Sequence, residues 1–181
     1  CGWQHCLTVP CELTQRGGRL RRYPVRELEQ LCEKPVSPEN AHIFDMELPS
    51  LPDIQSAHRR ISPYIHRTPV LTSHLLDSIA GCKLYFKCEN FQKVGAFKFR
   101  GATNAVLSLT DEQKKAGVVT HSSGNHAAAL ALAAGMNGIR AFIVMPENAP
   151  SVKKDAVAGY GALITFCKPT LQAREETCRK I

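Results

Sequence analysis

Three times between Gly117 and Lys180 a short apolar run passes through a turn into a stretch of helical length. Residues 117–120 lead into Ser122-Ser123-Gly124-Asn125-His126 and an alanine-rich segment ending near Gly135. Residues 140–145 stop at Pro146 before a helix that starts at Ser151 and stops before Gly159. Leu163–Cys167 precedes a helix over Leu171–Lys180. Strands alternating with helices over roughly ten-residue spans call for an α/β fold, a parallel sheet covered by helices. Right-handed crossovers place the loops that follow the strands along one edge, where α/β proteins bind ligands. The loop at Ser122 to His126 belongs on that edge.

The chain upstream obeys related rules. Ile54, Ala57, His58 and Ile61 recur at helical spacing after Ser50 and Pro52, and Pro63 ends the segment. Thr72 or Ser73 caps a short helix through Ile79, closed by Gly81. Leu84, Phe86 and Cys88 alternate with Tyr85, Lys87 and Glu89, a strand pattern. A helix through Leu109 then puts Phe99, Ala102, Val106 and Leu109 on one face. Residues 1–45 differ: they are Arg/Gly-rich around 16–26, broken by Pro10, Pro24, Pro35 and Pro38, and without apolar periodicity. They are expected to be mostly disordered, with a short helix near residues 25–32. The leader has neither the apolar stretch of a signal peptide nor the serines of a plastid transit peptide, holding only Ser37. Since the sequence opens on Cys1, Met46 is the expected natural start.

Charge narrows the partners. The formal net charge is +7, all of it carried after residue 45 and spread in singles and pairs such as Arg59-Arg60 and Lys153-Lys154. This suits an anionic cofactor or a carboxylate substrate better than a nucleic-acid stripe. No apolar run approaches the roughly 20 residues of a membrane helix. Of eight cysteines, Cys1, Cys6, Cys11 and Cys32 lie in the leader. Cys82, Cys88, Cys167 and Cys178 are widely spaced, as expected of reduced thiols in a cytoplasmic protein. A zinc site ranks below that reading, because no two cysteines stand at ligand spacing.

Two stretches carry chemistry. Lys98 lies between Phe97 and Phe99 where a glycine turn enters a helix. Partial burial and the positive end of the helix both disfavour its ammonium form, and covalent carbonyl chemistry needs the neutral amine. The plain alternative is a surface lysine on an amphipathic helix. The second stretch, Ser122 to His126, places hydroxyls, a carboxamide and an imidazole at a helix start, where exposed N–H groups receive an anion such as a carboxylate. Its plain alternative is an ordinary cap made by Ser122 or Ser123. His126 alone is as consistent with a structural histidine, and its pairing with His121 lacks a third metal ligand, so no metal site is assigned. No GxGxxG follows a strand and no Walker sequence occurs.

Lys87-Cys88-Glu89-Asn90-Phe91-Gln92-Lys93, Gly95-Ala96-Phe97-Lys98-Phe99-Arg100-Gly101-Ala102 and Thr120-His121-Ser122-Ser123-Gly124-Asn125-His126 together resemble the serine racemase and serine/threonine dehydratase group of pyridoxal-phosphate enzymes. The similarity runs from about Met46 to Ile181. It implies a fold-type II, tryptophan synthase β-like architecture, with residues 46–107 in the large cofactor domain and residues 108–181 an incomplete small domain. Lys98 matches the lysine that carries pyridoxal 5'-phosphate and then acts as base on one face of the substrate Cα. Ser123 matches the acid/base of the other face. Asn125 corresponds to the residue that hydrogen-bonds the cofactor's phenolic oxygen, and Phe97 to a neighbour of its ring. Ser122, Asn125 and His126 resemble the substrate-carboxylate loop, and Arg174 a substrate-facing arginine of the small domain. Lys93 and Tyr160 match positions of the nucleotide-binding surface of mammalian racemases, whereas Val94 and Ala128 replace polar residues there. The glycine-rich phosphate loop, the partner of the ring nitrogen and the acidic ligands of a Mg or Ca ion belong to a second half of the family that is not matched here. The implied activity is racemisation of serine with dehydration alongside, in a homodimer acting on a small amino acid without nucleic acid or membrane. Many dehydratases of the group have alanine at the position of Ser123, so a threonine/serine or 3-hydroxyaspartate dehydratase without racemisation is the alternative. Cysteine synthases of the same fold, with Thr in place of His126, rank behind it. The alternative of another kind is a truncated, non-catalytic protein.

Overall fold

The structure is a computed structural model that describes residues 11–16, 19–24 and 49–181. Strands β1 (Cys11–Arg16) and β2 (Arg19–Pro24) pair antiparallel, Cys11 opposite Pro24 and Arg16 opposite Arg19. This hairpin was not anticipated in a stretch expected to lack order. The helix expected near residues 25–32 lies outside the described residues.

From Ser50 the chain follows the expected punctuation. Helix α1 (Leu51–Ile61) starts where Ser50 N donates to Asp53 Oδ2 at 2.8 Å, and Pro52 occupies its first turn, where no N–H is missed. It buries Ile61, and Arg60 Nη1 donates to Asn104 Oδ1 at 2.5 Å. Helix α2 (His74–Ala80) is capped by Ser73, whose Oγ accepts from Leu76 N at 3.4 Å, and it ends on Gly81 at φ 67.

The strand expected across residues 84–89 shrinks to β4 (Phe86–Lys87). It pairs antiparallel with an unanticipated β3 (Val70–Leu71), apart from the parallel sheet. Side chains end it. Glu89 takes a hydrogen bond from Thr68 Oγ1 at 2.6 Å, and Gln92 exchanges two with the backbone of His66, both at 2.9 Å. These anchors draw residues 89–95 into two short 3₁₀ turns, Glu89–Phe91 and Lys93–Gly95.

Helix α3 (Lys98–Leu107) is followed by α4 (Asp111–Ala116), which apolar periodicity does not reveal because every residue of it is exposed. Its signal is the capping box: Thr110 Oγ1 accepts from Gln113 N at 3.3 Å, and Gln113 Oε1 from Thr110 N at 2.9 Å. Then come β5 (Val118–His121), α5 (Asn125–Met136), β6 (Ala141–Pro146), α6 (Ser151–Gly159), β7 (Leu163–Cys167) and α7 (Leu171–Lys180). The three strands form one parallel sheet in the order β5-β6-β7, Val118 opposite Ala141 and Phe142 opposite Leu163. The centre strand β6 buries Ala141, Ile143, Val144 and Met145, as a strand flanked and covered on both faces must.

Helix α5 organises the core. Ala127, Ala129, Ala133 and Ala134 are almost wholly buried, and these small side chains admit α3, α6, β5, β6 and the 93–95 turn against it. Phe99 and Val106 of α3 fill the space alongside, with Ile143, Met145 and Val157 beyond. The right-handed connections carry α5 and α6 over one face of the sheet, while α7 packs across all three strands on the other.

Candidate active site

The turn that delivers Lys98 is built from left-handed residues. Val94 has φ 58 and Gly95 φ 67. Glycine adopts this at little cost, whereas a β-branched residue is strained by about 1–3 kcal/mol. The next residues are locked by burial: Ala96 is 6% exposed and Phe99 completely buried. Phe97 caps α3 and Lys98 is its first residue.

The aromatic environment differs from the expected sandwich. Lys98 Nζ lies 5.0 Å from the centre of the half-exposed Phe97 ring, while Phe99 points into the core and meets Lys93 Nζ at 5.6 Å. Successive helical side chains diverge by about 100°, so adjacent residues on a helix do not share a face. Lys98 is therefore half-buried beside one ring.

Opposite stands the 122–126 loop. Ser122 N donates to Val144 O at 3.1 Å, prolonging the β5–β6 ladder by one rung, and Ser122 Oγ then accepts from Gly124 N at 3.3 Å. Gly124 is the N-cap of α5, no side chain caps the helix, and its first turn carries no acidic residue. The ordinary-cap alternative is thereby removed. The first N–H groups of α5 remain available to an anion. Ser122 and Ser123 are half-buried; Asn125 and His126 are exposed at the helix start.

Packing of α3 on α5 brings Lys98 and this loop together. Their nearness registers on His126, whose pKa is pushed down first by partial withdrawal from water and then by the charges of Lys98 and His121. The exposed part of the imidazole keeps that burial effect modest. A neutral imidazole, a half-buried amine, a planar ring and uncapped N–H groups converge on one edge. Lys153 of α6 joins them unannounced: its Nζ donates to Asn125 Oδ1 at 3.2 Å.

The remaining residues singled out in the sequence lie further apart. Arg174 is on α7, across the sheet from α5, and its Nε is buried without a hydrogen-bond partner. Lys93 sits in the turn that packs on α5, and Tyr160 ends α6, its carbonyl oxygen 3.0 Å from where a side chain on Gly135 would begin. Sequence reasoning also missed Glu89 and Arg100, which form an ion pair at 2.8 Å astride the Lys98 turn. Among the described residues no group of three His, Cys, Asp or Glu is placed to hold a metal ion. No helix among them is long and apolar enough to cross a membrane.

These groups fit pyridoxal phosphate. Lys98 offers the amine, Phe97 an apolar wall, Asn125 a hydrogen bond, and the uncapped N–H groups of α5 a receptor for an anion.

The family model for pyridoxal-phosphate dependent enzymes matches residues 61–181. The chain is 61% identical over 128 residues to the serine racemase of Arabidopsis thaliana, covering 71% of this chain and 39% of the relative. It is 54% identical over 136 residues to the beta-hydroxyaspartate dehydratase of Paracoccus denitrificans, covering 75% and 43%. Among solved structures, maize serine racemase superposes with a TM-score of 0.72 at 51% identity, covering 74% of this chain and 41% of that one. The chain thus spans about two fifths of the length of these relatives. Its architecture is the fold-type II one that the motifs imply, in part. By its motifs, its fold and the match over residues 61–181, this chain belongs to the pyridoxal-phosphate-dependent enzyme family.

Proposed function

We propose that the whole protein is a serine racemase that also dehydrates serine, and that this chain supplies the reacting lysine and the substrate-carboxylate loop. The observation that carries the proposal is the packing of α3 on α5, which sets Lys98 at the start of one helix beside the uncapped start of the other, where Ser123 lies. Identity of 61% to a plant serine racemase supports the substrate. The bound cofactor supplies an electron sink that renders the substrate Cα proton acidic.

Lys98 would hold the cofactor and, once freed, take the Cα proton from one face. Phe97 would wall the ring, and Asn125 would donate to its phenolic oxygen. The carboxylate of serine is received by the uncapped N–H groups of α5, with Ser122, Asn125 and His126 adding directional bonds and Arg174 approaching from the other side of the sheet edge. Neutral His126 contributes an N–H donor and leaves the substrate's charge to the backbone dipoles of α5. A proton returned by the Ser123 hydroxyl from the second face inverts the centre. Departure of the β-hydroxyl as water in its place leaves an enamine, which water hydrolyses to pyruvate and ammonia.

Residues 46–107 are assigned to the large domain, residues 108–181 to part of the small domain, and residues 1–45 to a leader. The protein is assigned to the cytoplasm as a homodimer, with a divalent cation and the cofactor phosphate bound by segments outside this chain. Lys93 and Tyr160 match two positions of a nucleotide surface at which Val94 and Ala128 replace polar residues, so no nucleotide activation is assigned. A dehydratase without racemisation is the second reading, favoured by the 54% identity to a hydroxyaspartate dehydratase. Ser123→Ala in the whole protein decides: racemisation of L-serine falls by roughly a hundredfold or more while pyruvate formation persists. Equal loss of both activities contradicts the two-face assignment, and absence of D-serine from the unmodified enzyme establishes the second reading.

A further inference from the structure

We infer that Lys153 is a positioning residue that sets which way the Asn125 carboxamide faces. The inference rests on the reading of Asn125 as a cofactor contact. Lys153 lies in the first turn of α6, a turn with no acidic residue, where the helix dipole disfavours a cation. Its neighbour Lys154 has evident occupations, donating to Glu147 O at 2.6 Å and lying 5.1 Å from the centre of the Phe166 ring. Lys153 belongs to none of the ion pairs among the described residues. Its hydrogen-bond partner is Asn125 Oδ1, at 3.2 Å and 28 positions away in sequence.

The start of α6 is stiff enough to aim that ammonium. Ala149 is buried, Pro150 fixes the backbone at φ −54, and Lys153 N donates to Pro150 O at 3.0 Å. A carboxamide has one accepting oxygen and one NH₂ with two donors, and an ammonium only donates. With its oxygen committed to Lys153, Asn125 presents NH₂ to the ligand edge, where an anionic phenolic oxygen accepts from it. The reversed amide would set NH₂ against the Lys153 charge. Lys153 thereby converts an ambivalent side chain into a committed donor.

A double-mutant cycle in the whole protein, stripped of cofactor and titrated with pyridoxal phosphate, tests this. Asn125→Ala weakens binding roughly tenfold, and Lys153→Met roughly threefold or more. The double variant binds no worse than Asn125→Ala, and Lys153→Arg restores affinity. Against the analogue lacking the phenolic oxygen, none of the substitutions matters. The inference is overturned if Lys153→Met binds like the unmodified protein, if the two losses multiply, or if the analogue suffers the same loss. An Asn125→Ala variant with undiminished affinity instead removes the underlying reading of Asn125, and the inference with it.

Discussion

Arg100 grips Glu89 with two nitrogens at once, Nε to Oε2 and Nη2 to Oε1, both at 2.8 Å. Thr68 Oγ1 also donates to Glu89, at 2.6 Å, and Lys87 Nζ donates to Thr68 O at 2.6 Å. The clamp ties the end of β4 to the first turn of α3, so the turn that presents Lys98 is held at both ends.

Breaking the clamp leaves a half-buried carboxylate under-partnered. Arg100→Ala is expected to cost about 2–3 kcal/mol, read as a lower urea midpoint with unchanged slope, and Arg100→Lys recovers only part because an ammonium cannot make the fork. Arg100 holds the Glu89 carboxyl below its usual pKa, against the opposing effect of burial. The unfolded chain therefore binds this proton more readily than the folded one. The contribution is complete above the ordinary glutamate range and is lost as pH falls through the folded value.

His126 gives a second pH signature. Its folded pKa is lowered, so acidification from about pH 7 protonates the unfolded state first and stability falls as pH drops below about 6.5. NMR titration of the ring should show this low value rising in Lys98→Ala, since one of the two repelling charges is gone. An unmoved His126 would separate Lys98 from the loop.

Gly117 and Gly138 form a contrasting pair, one just before β5 and one shortly before β6. Both have positive φ, +100 and +67, but a Cβ at Gly117 would stand 2.8 Å from Arg140 O, while one at Gly138 meets nothing within 4 Å. Gly117→Ala is expected to cost roughly 3 kcal/mol in thermal unfolding and Gly138→Ala roughly 1 kcal/mol.

The parts of this fold that repeat were legible in residue order. The three strand–helix units emerge within a residue or two of their expected ends because apolar runs, Pro146 and the glycines act locally. Ser73 and Gly81 cap α2 as local chemistry dictates. The β3–β4 ladder escaped because two-residue strands carry no period, and α4 because its face is wholly polar. In the candidate site, a lysine beside aromatic residues at a helix start and the polar run 122–126 at another were visible as local sequence. The Glu89–Arg100 clamp and the Lys153–Asn125 bond were not, since each joins residues that only the tertiary fold makes neighbours. The left-handed Val94 ran against its residue type, as strained turns at functional sites do.

The central claim is that Lys98 is the lysine that carries the cofactor. Borohydride reduction of the whole, cofactor-loaded protein followed by peptide mass spectrometry reads this directly. A phosphopyridoxyl adduct is expected on Lys98 and none in Lys98→Ala. An adduct on Lys93, Lys153 or any other lysine of the unmodified protein, with Lys98 free, would contradict it.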